Sequence, residues 1–265
     1  RYWRPPPISR TSTAVGAKSG LTEILEESVE RRLESDVPLG CFLSGGIDSS
    51  IVAALAQQSL KAQGKPALQT FNIAMPHADY DESDYARAVA KHIGSEHRVL
   101  TAGSDSVMDD LNRLIAVCGE PTADSSILPT LWLSRATRQH VKAVLSGDGG
   151  DELFGGYDRY RAMQLLTRHG GLLRMVPAMW LADTRPYSTR TRLRRLAEAA
   201  RQQTPQSQYR SMIQLFTDDQ VRRLAPGAVA EAINRVDPGV PEWPEAPEPL
   251  EAAKRWDLVH YLPFD

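Results

Sequence analysis

Apolar positions recur along this chain with two periods, and the change from one to the other divides it. Leu21, Ile24, Leu25, Val29 and Leu33 share one face of a helical repeat, with Glu and Arg opposite. A short apolar run over residues 38–43 predicts a first strand, and residues 51–60 return to a helical pattern. Gly64-Lys65-Pro66 breaks the chain before a second strand over 68–75. A helix is predicted over 83–93 with Gly94 as its cap, then a third strand over 96–100. Helices near 107–117 and over 128–140 precede a fourth strand at 141–145. Strands and helices alternating at this spacing predict an α/β fold with a doubly wound parallel sheet.

From Tyr160 onward the strand period is lost. Helical patterns cover 161–169, 190–200 and 206–216, and the proline- and glutamate-rich residues 238–249 read as a loose loop. The expected organisation is therefore a linker over 1–20, an α/β domain over 21–160 and an appended helical part over 161–265. Arg190, Arg192, Arg194, Arg195 and Arg201 make one helix basic, which reads as a solvated or acid-paired face.

Bulk properties narrow the function mainly by exclusion. A net charge of −2 offers no basic footprint for nucleic acid. No apolar run approaches the roughly 20 residues of a membrane span, and no signal-peptide pattern is present. Cys41 and Cys118 lack zinc spacing and fit a reducing, cytoplasmic compartment. Cys41 lies inside the first strand and reads as a small buried hydrophobe. Nothing in the pattern fixes an oligomeric state.

Two glycine loops carry the candidate chemistry. Ser44-Gly45-Gly46-Ile47-Asp48-Ser49-Ser50 joins the first strand to a helix, and Ser146-Gly147-Asp148-Gly149-Gly150-Asp151-Glu152 follows the fourth strand. A glycine turn entering a helix N-terminus presents backbone N–H groups and a favourable dipole to an anion. Asp48 would repel phosphate unless a cation intervenes, and magnesium bridges carboxylates and phosphate oxygens. The loop thus reads as a magnesium-nucleotide loop. It is no Walker loop, since G-x-x-x-x-G-K-[ST] is absent, and no G-x-G-x-x-G follows a strand.

The first loop resembles the pyrophosphate loop of ATP pyrophosphatases. With residues 145–152 and Phe154-Gly155-Gly156-Tyr157, it resembles the synthetase domain of glutamine-dependent asparagine synthetases. The resemblance is specific over about residues 37–160. It implies an adenine nucleotide alpha hydrolase-like sheet and a ligase that adenylates a carboxylate, aspartate in the best-known members. Ammonia then displaces AMP to give the amide, asparagine.

By the same resemblance, ATP and Mg2+ are required. Leu43 and Ile73 would hold adenine through backbone groups. Ser44, Gly45, Gly46, Ser49 and Ser50 would grip the pyrophosphate, and Ser146 and Gly147 would face the α-phosphate and sugar. Asp48 and Asp151 would hold the metal, and Asp148 would be the base toward ammonia, where those synthetases carry glutamate. The alternative for Asp148 is that it merely closes a glycine turn.

The resemblance also implies a glutaminase domain before the Tyr2-Trp3 segment and a continuation beyond Asp265. The segment over 120–126 corresponds to one that grips aspartate with an arginine, and no arginine occurs between Glu120 and Ser134. Two alternatives therefore stay open: the same chemistry on another carboxylate (a sugar, peptide or β-lactam precursor), or a nucleotide-binding module without turnover. The acidic loop containing His77, Asp79, Asp81, Glu82 and Asp84 reads as a loop and helix cap rather than a second metal site.

Overall fold

The computed structural model describes residues 5–6, 14–75, 81–101, 106–119, 124, 126–177, 188–214, 216, 218–224, 227 and 242–262. The chain divides into two units, which meet in sequence at Asp148 and Gly149.

The first unit is built on four short strands: β1 (Leu39–Phe42), β2 (Gln69–Ala74), β3 (Glu96–Thr101) and β4 (Ala143–Leu145). They form one parallel sheet in the order β3-β2-β1-β4, with Gly40 opposite Gln69 on one side and Val144 on the other. This is the predicted doubly wound α/β arrangement. The chain steps outward from β1 to β3, then returns to the far side of β1 for β4. Strand order therefore reverses between β1 and β4, the place where ligands bind in such sheets.

Helices α1 (Ala14–Arg32), α2 (Ile47–Ala62), α3 (Ser83–Ile93), α4 (Val107–Cys118) and α5 (Ile127–Thr137) connect and flank the strands. Small side chains set the spacing, because Ala53, Ala56, Ala86 and Ala90 are buried in one cluster with Cys41, Leu43 and Leu68. Their i, i+3 and i, i+4 spacing places each pair on one face of its helix. Burying Leu43, Leu68 or Phe71 contributes roughly 1.5–3 kcal/mol apiece. α3 ends where predicted, with Gly94 at φ 75° and its N–H donating to the Ala90 carbonyl at 2.9 Å.

α1 starts at Ala14, inside the stretch expected to be extended. Only the far end of its apolar face is used: Val29 and Leu33 are buried, while Leu21 and Ile24 are exposed. α5 is tied to α4 through buried Asp110, which accepts from Trp132 Nε1 at 2.8 Å and pairs with Arg135.

The second unit holds α6 (Gly150–Phe154), α7 (Asp158–Arg174), α8 (Thr189–Ala200), α9 (Pro205–Ile213), α10 (Asp218–Leu224) and α11 (Pro249–His260). No strand occurs in it among the described residues. Its core joins Tyr160, Met163, Leu166, Ala199, Ala200, Tyr209 and Ala253. α11 was not legible in the sequence as a helix, because a carboxylate, Asp257, occupies its buried face.

Two arginines of the basic helix α8 are acid-paired, one of the outcomes its composition predicts. Arg192 lies 3.5 Å from Asp158 and Arg194 3.8 Å from Glu198. Arg195 donates to the carbonyls of Met212 and Gln214, each at 3.1 Å, and Arg201 to that of Val176 at 2.6 Å. No helix among the described residues is long and apolar enough to cross a membrane.

Candidate functional site

Strand β1 ends at Phe42, and the buried Leu43 continues its ladder by donating N–H to the Phe71 carbonyl at 2.8 Å. That N–H is therefore committed within the sheet. Gly45 then takes φ +87°, and a Cβ on it would lie 2.5 Å from Tyr85 Cβ. The turn is thus pressed against the first turn of α3, which only glycine permits.

Helix α2 starts at Ile47 with Gly46 as N-cap and no side-chain cap. Its first N–H groups have no partner within the helix. The two loop serines brace the turn. Their hydroxyls share a hydrogen bond at 3.0 Å, Ser44 N–H donates to Ser49 Oγ at 3.3 Å, and Gly46 N–H donates to Ser44 Oγ at 3.1 Å. The serine pair therefore shapes the loop, and no side chain caps the α2 N-terminus.

The second loop leaves β4 beside it. A Cβ on Gly147 would sit 2.7 Å from Ser49 N and 3.1 Å from Asp48 Cβ, so the two loops are in backbone contact. Ser146 Oγ donates to Asp148 Oδ2 at 2.7 Å, and the Asp148 carboxylate is exposed.

Around this junction lies a cavity of about 580 Å³. Its wall contains Leu43, Ser44, Gly46, Asp48, Ser49, Ile73, Ser146, Gly147 and Asp148, nine of the residues singled out from the sequence. Phe42, Phe71, Pro129 and Leu133 add apolar lining. Ser50 and Gly45 lie off the wall, and the Ser50 hydroxyl is buried with no hydrogen-bond partner among the described residues.

Asp151 belongs to the second unit. Its carbonyl accepts from Gly155 N–H at 2.7 Å and Gly156 N–H at 3.1 Å, and its Oδ1 occupies the space a Cβ on Gly156 would need. Gly156 thus makes room for the Asp151 carboxylate. Nearby, Tyr157 OH donates to the fully buried Glu152 at 2.8 Å, and Arg159 stacks 3.6 Å over the Tyr157 ring. Burial, reinforced by the Glu152 hydrogen bond, pushes the Tyr157 phenol above its ordinary value.

Sequence reasoning missed the centre of this unit. Asp257 is fully buried and collects donors from Tyr160 OH at 2.5 Å, from Tyr209 OH, and from Arg159 Nε and Nη2 at 3.2 and 3.0 Å. An acidic residue on an otherwise apolar face was the only signal available.

At the start of α3, Asp81 accepts from Ser83 N–H and Oγ at 3.1 and 2.5 Å, and these bonds hold its carboxyl below the usual range, while the N-cap residue, Glu82, makes no side-chain cap. Ser83 Oγ in turn accepts from Asn72 Nδ2 at 2.8 Å. His77 and Asp79 lie outside the described residues, as do Glu120, Pro121, Thr122, Ala123 and Ser125 of the expected acceptor segment. Burial pushes the Cys41 thiol up to about 12, which fits a core residue and not a nucleophile.

Comparison with known proteins matches residues 20–265 to the family model described as asparagine synthase. A putative glutamine-hydrolyzing asparagine synthetase of Mycobacterium tuberculosis is 41% identical over 141 residues, which are 53% of this chain and 21% of that protein. The glutamine-hydrolyzing asparagine synthetase 1 of Bacillus subtilis is 34% identical over 139 residues, 52% of this chain and 21% of its own length. The chain therefore spans about a fifth of the length of these relatives. Among solved structures, an NH3-dependent NAD synthetase from Campylobacter jejuni aligns over 87% of this chain and 98% of its own, at 16% identity and a TM-score of 0.36.

Proposed function

The chain belongs to the asparagine synthase family, and we propose that it is the ATP-dependent, amide-forming part of such a synthetase. The observation that carries this reading is the contact of Gly147 with Asp48 and Ser49 at the uncapped start of α2, inside a cavity of about 580 Å³. Two loops meeting without side chains between them leave room for a polyphosphate chain against backbone donors.

In the proposed reaction a substrate carboxylate oxygen attacks the α-phosphorus of ATP, and the bond to the bridging oxygen of pyrophosphate breaks. Charge builds on the leaving group where the α2 N-terminus and its dipole face it. The carboxylate has become an acyl phosphate ester with AMP as leaving group. Ammonia then adds to the carbonyl carbon, AMP departs, and the amide remains. Asp148 accepts the proton that ammonia loses, and the Ser146 hydroxyl on Oδ2 orients its carboxylate. Adenine would pack on the apolar lining, with the Leu43 carbonyl as an acceptor for its amino group.

Magnesium fits the donor chemistry of Asp48, a hard carboxylate on the wall of a phosphate-type cavity, with Asp151 as the second proposed ligand. When bound, it supplies positive charge to the pyrophosphate oxygens. Aspartate is the proposed acceptor, and ammonia comes from a glutaminase domain or from solution.

The test is carboxylate-dependent exchange of labelled pyrophosphate into ATP, run over a panel that includes aspartate. Exchange that requires one carboxylate and Mg2+ is expected. ATP binding without exchange for any carboxylate would overturn the ligase reading and leave a nucleotide-binding module.

A further inference from the structure

The first unit contains a second cavity, of about 290 Å³, between the end of α5 and strand β4. Among the residues on the two walls, only Phe42 is shared with the larger cavity. Its lining includes the apolar side chains Phe42, Val141 and Val144. It also includes cations from a short stretch of chain: Arg135, Arg138 and Lys142.

These cations are not equivalent. Arg135 is committed to Asp110 through Nη1. Arg138 and Lys142 have no carboxylate partner among the described residues, and Lys142 Nζ donates instead to the Arg138 carbonyl at 3.3 Å. Two positive charges without a carboxylate partner among the described residues thus line one cavity, in a chain whose net charge is −2.

A hydrated inorganic ion would answer the charge but leave the apolar lining wet. A neutral apolar molecule would cover the apolar lining but leave the charge unanswered.

We propose that this pocket binds a small organic carboxylate, with its apolar body against Phe42, Val141 and Val144 and its carboxylate at Arg138 and Lys142. Charge-assisted bonds to a partly enclosed carboxylate are the strong kind, and the floor adds apolar burial.

Benzoate is the probe, followed by ligand-detected NMR on the 265-residue protein, with benzylamine as the charge-reversed control and saturating ATP in a parallel series. The expected result is saturable benzoate binding with a Kd of about 1 mM or tighter. Arg138→Gln with Lys142→Gln, both at exposed positions, should weaken it by about tenfold or more, with unchanged circular dichroism. ATP should not displace it. Absence of saturation, equal affinity in the double variant, equal binding of benzylamine, or displacement by ATP would each overturn the proposal.

Discussion

Gly147 lies directly against Ser49, so that a Cβ on it would fall 2.7 Å from the Ser49 nitrogen and 3.0 Å from the Asp48 carbonyl carbon. Both neighbours are backbone and cannot swing aside. Gly147→Ala must therefore push the loop after β4 away from the start of α2, at a cost of about 1–3 kcal/mol of overpacking. ATP affinity is expected to fall by roughly tenfold or more in equilibrium dialysis, since the displaced backbone is the proposed phosphate wall. Unchanged affinity would separate this contact from nucleotide binding.

Asp48 lines the cavity and Asp151 is accommodated by Gly156 in the other unit. If both hold magnesium, Asp48→Asn and Asp151→Asn should each lower pyrophosphate exchange by about 100-fold or more, the scale of losing one electrostatic stabiliser. Thermal unfolding should stay close to that of the parent. Full exchange in either variant would remove that residue from the metal site.

Asp257 takes four donor contacts at zero exposure, one pair of them from Arg159. Asp257→Asn strands the Arg159 charge and should destabilise the helical unit by about 3–5 kcal/mol in urea titrations. Tyr209→Phe removes one donor and leaves the ion pair, so a smaller loss of about 1–2 kcal/mol is expected. Equal losses would contradict a hub centred on the carboxylate.

His97 offers a pH test. Its Nδ1 lies 3.0 Å from Thr70 Oγ1, and burial, aided by the nearby Arg87 charge, lowers its pKa below the ordinary 6.5. The folded state thus favours the neutral ring. Its contribution is present above 6.5, and it is lost as pH falls from there through the depressed folded value, because the unfolded chain binds the proton first. His97→Gln should flatten the stability profile of the first unit between pH 7 and 5. An identical slope in the variant would exclude His97 as its source.

The α/β unit was readable in the sequence because its signals are local. Apolar runs gave the strands, Gly94 marked a helix end, and the two glycine loops followed strands. The β1–β4 adjacency was not local. It needed a borrowed topology, since nothing in residues 141–145 says which strand they pair with. The helical unit was less legible for a different reason. Its centre joins Arg159, Tyr160, Tyr209 and Asp257 across nearly a hundred residues, and such long-range polar pairing leaves no periodic trace. The start of α11 was hidden in proline-rich sequence, although proline at a first helical turn is favourable. The loop serines show a subtler gap. Sequence alone does not show that Ser44 and Ser49 also share a hydrogen bond with each other.

The central claim concerns which bond of ATP breaks, and product analysis tests it most directly. A kinase-like site sets a lysine on the terminal phosphates and transfers the γ-phosphoryl group, but neither loop here contains a lysine. The α2 N-terminus faces a leaving pyrophosphate in the proposed geometry, and the loop after β4 faces the α-phosphorus. With ammonia and the accepted carboxylate labelled with oxygen-18, AMP and pyrophosphate should form in step with amide, and the label should pass into AMP. ADP as the stoichiometric product, or label in inorganic phosphate, would contradict the mechanism.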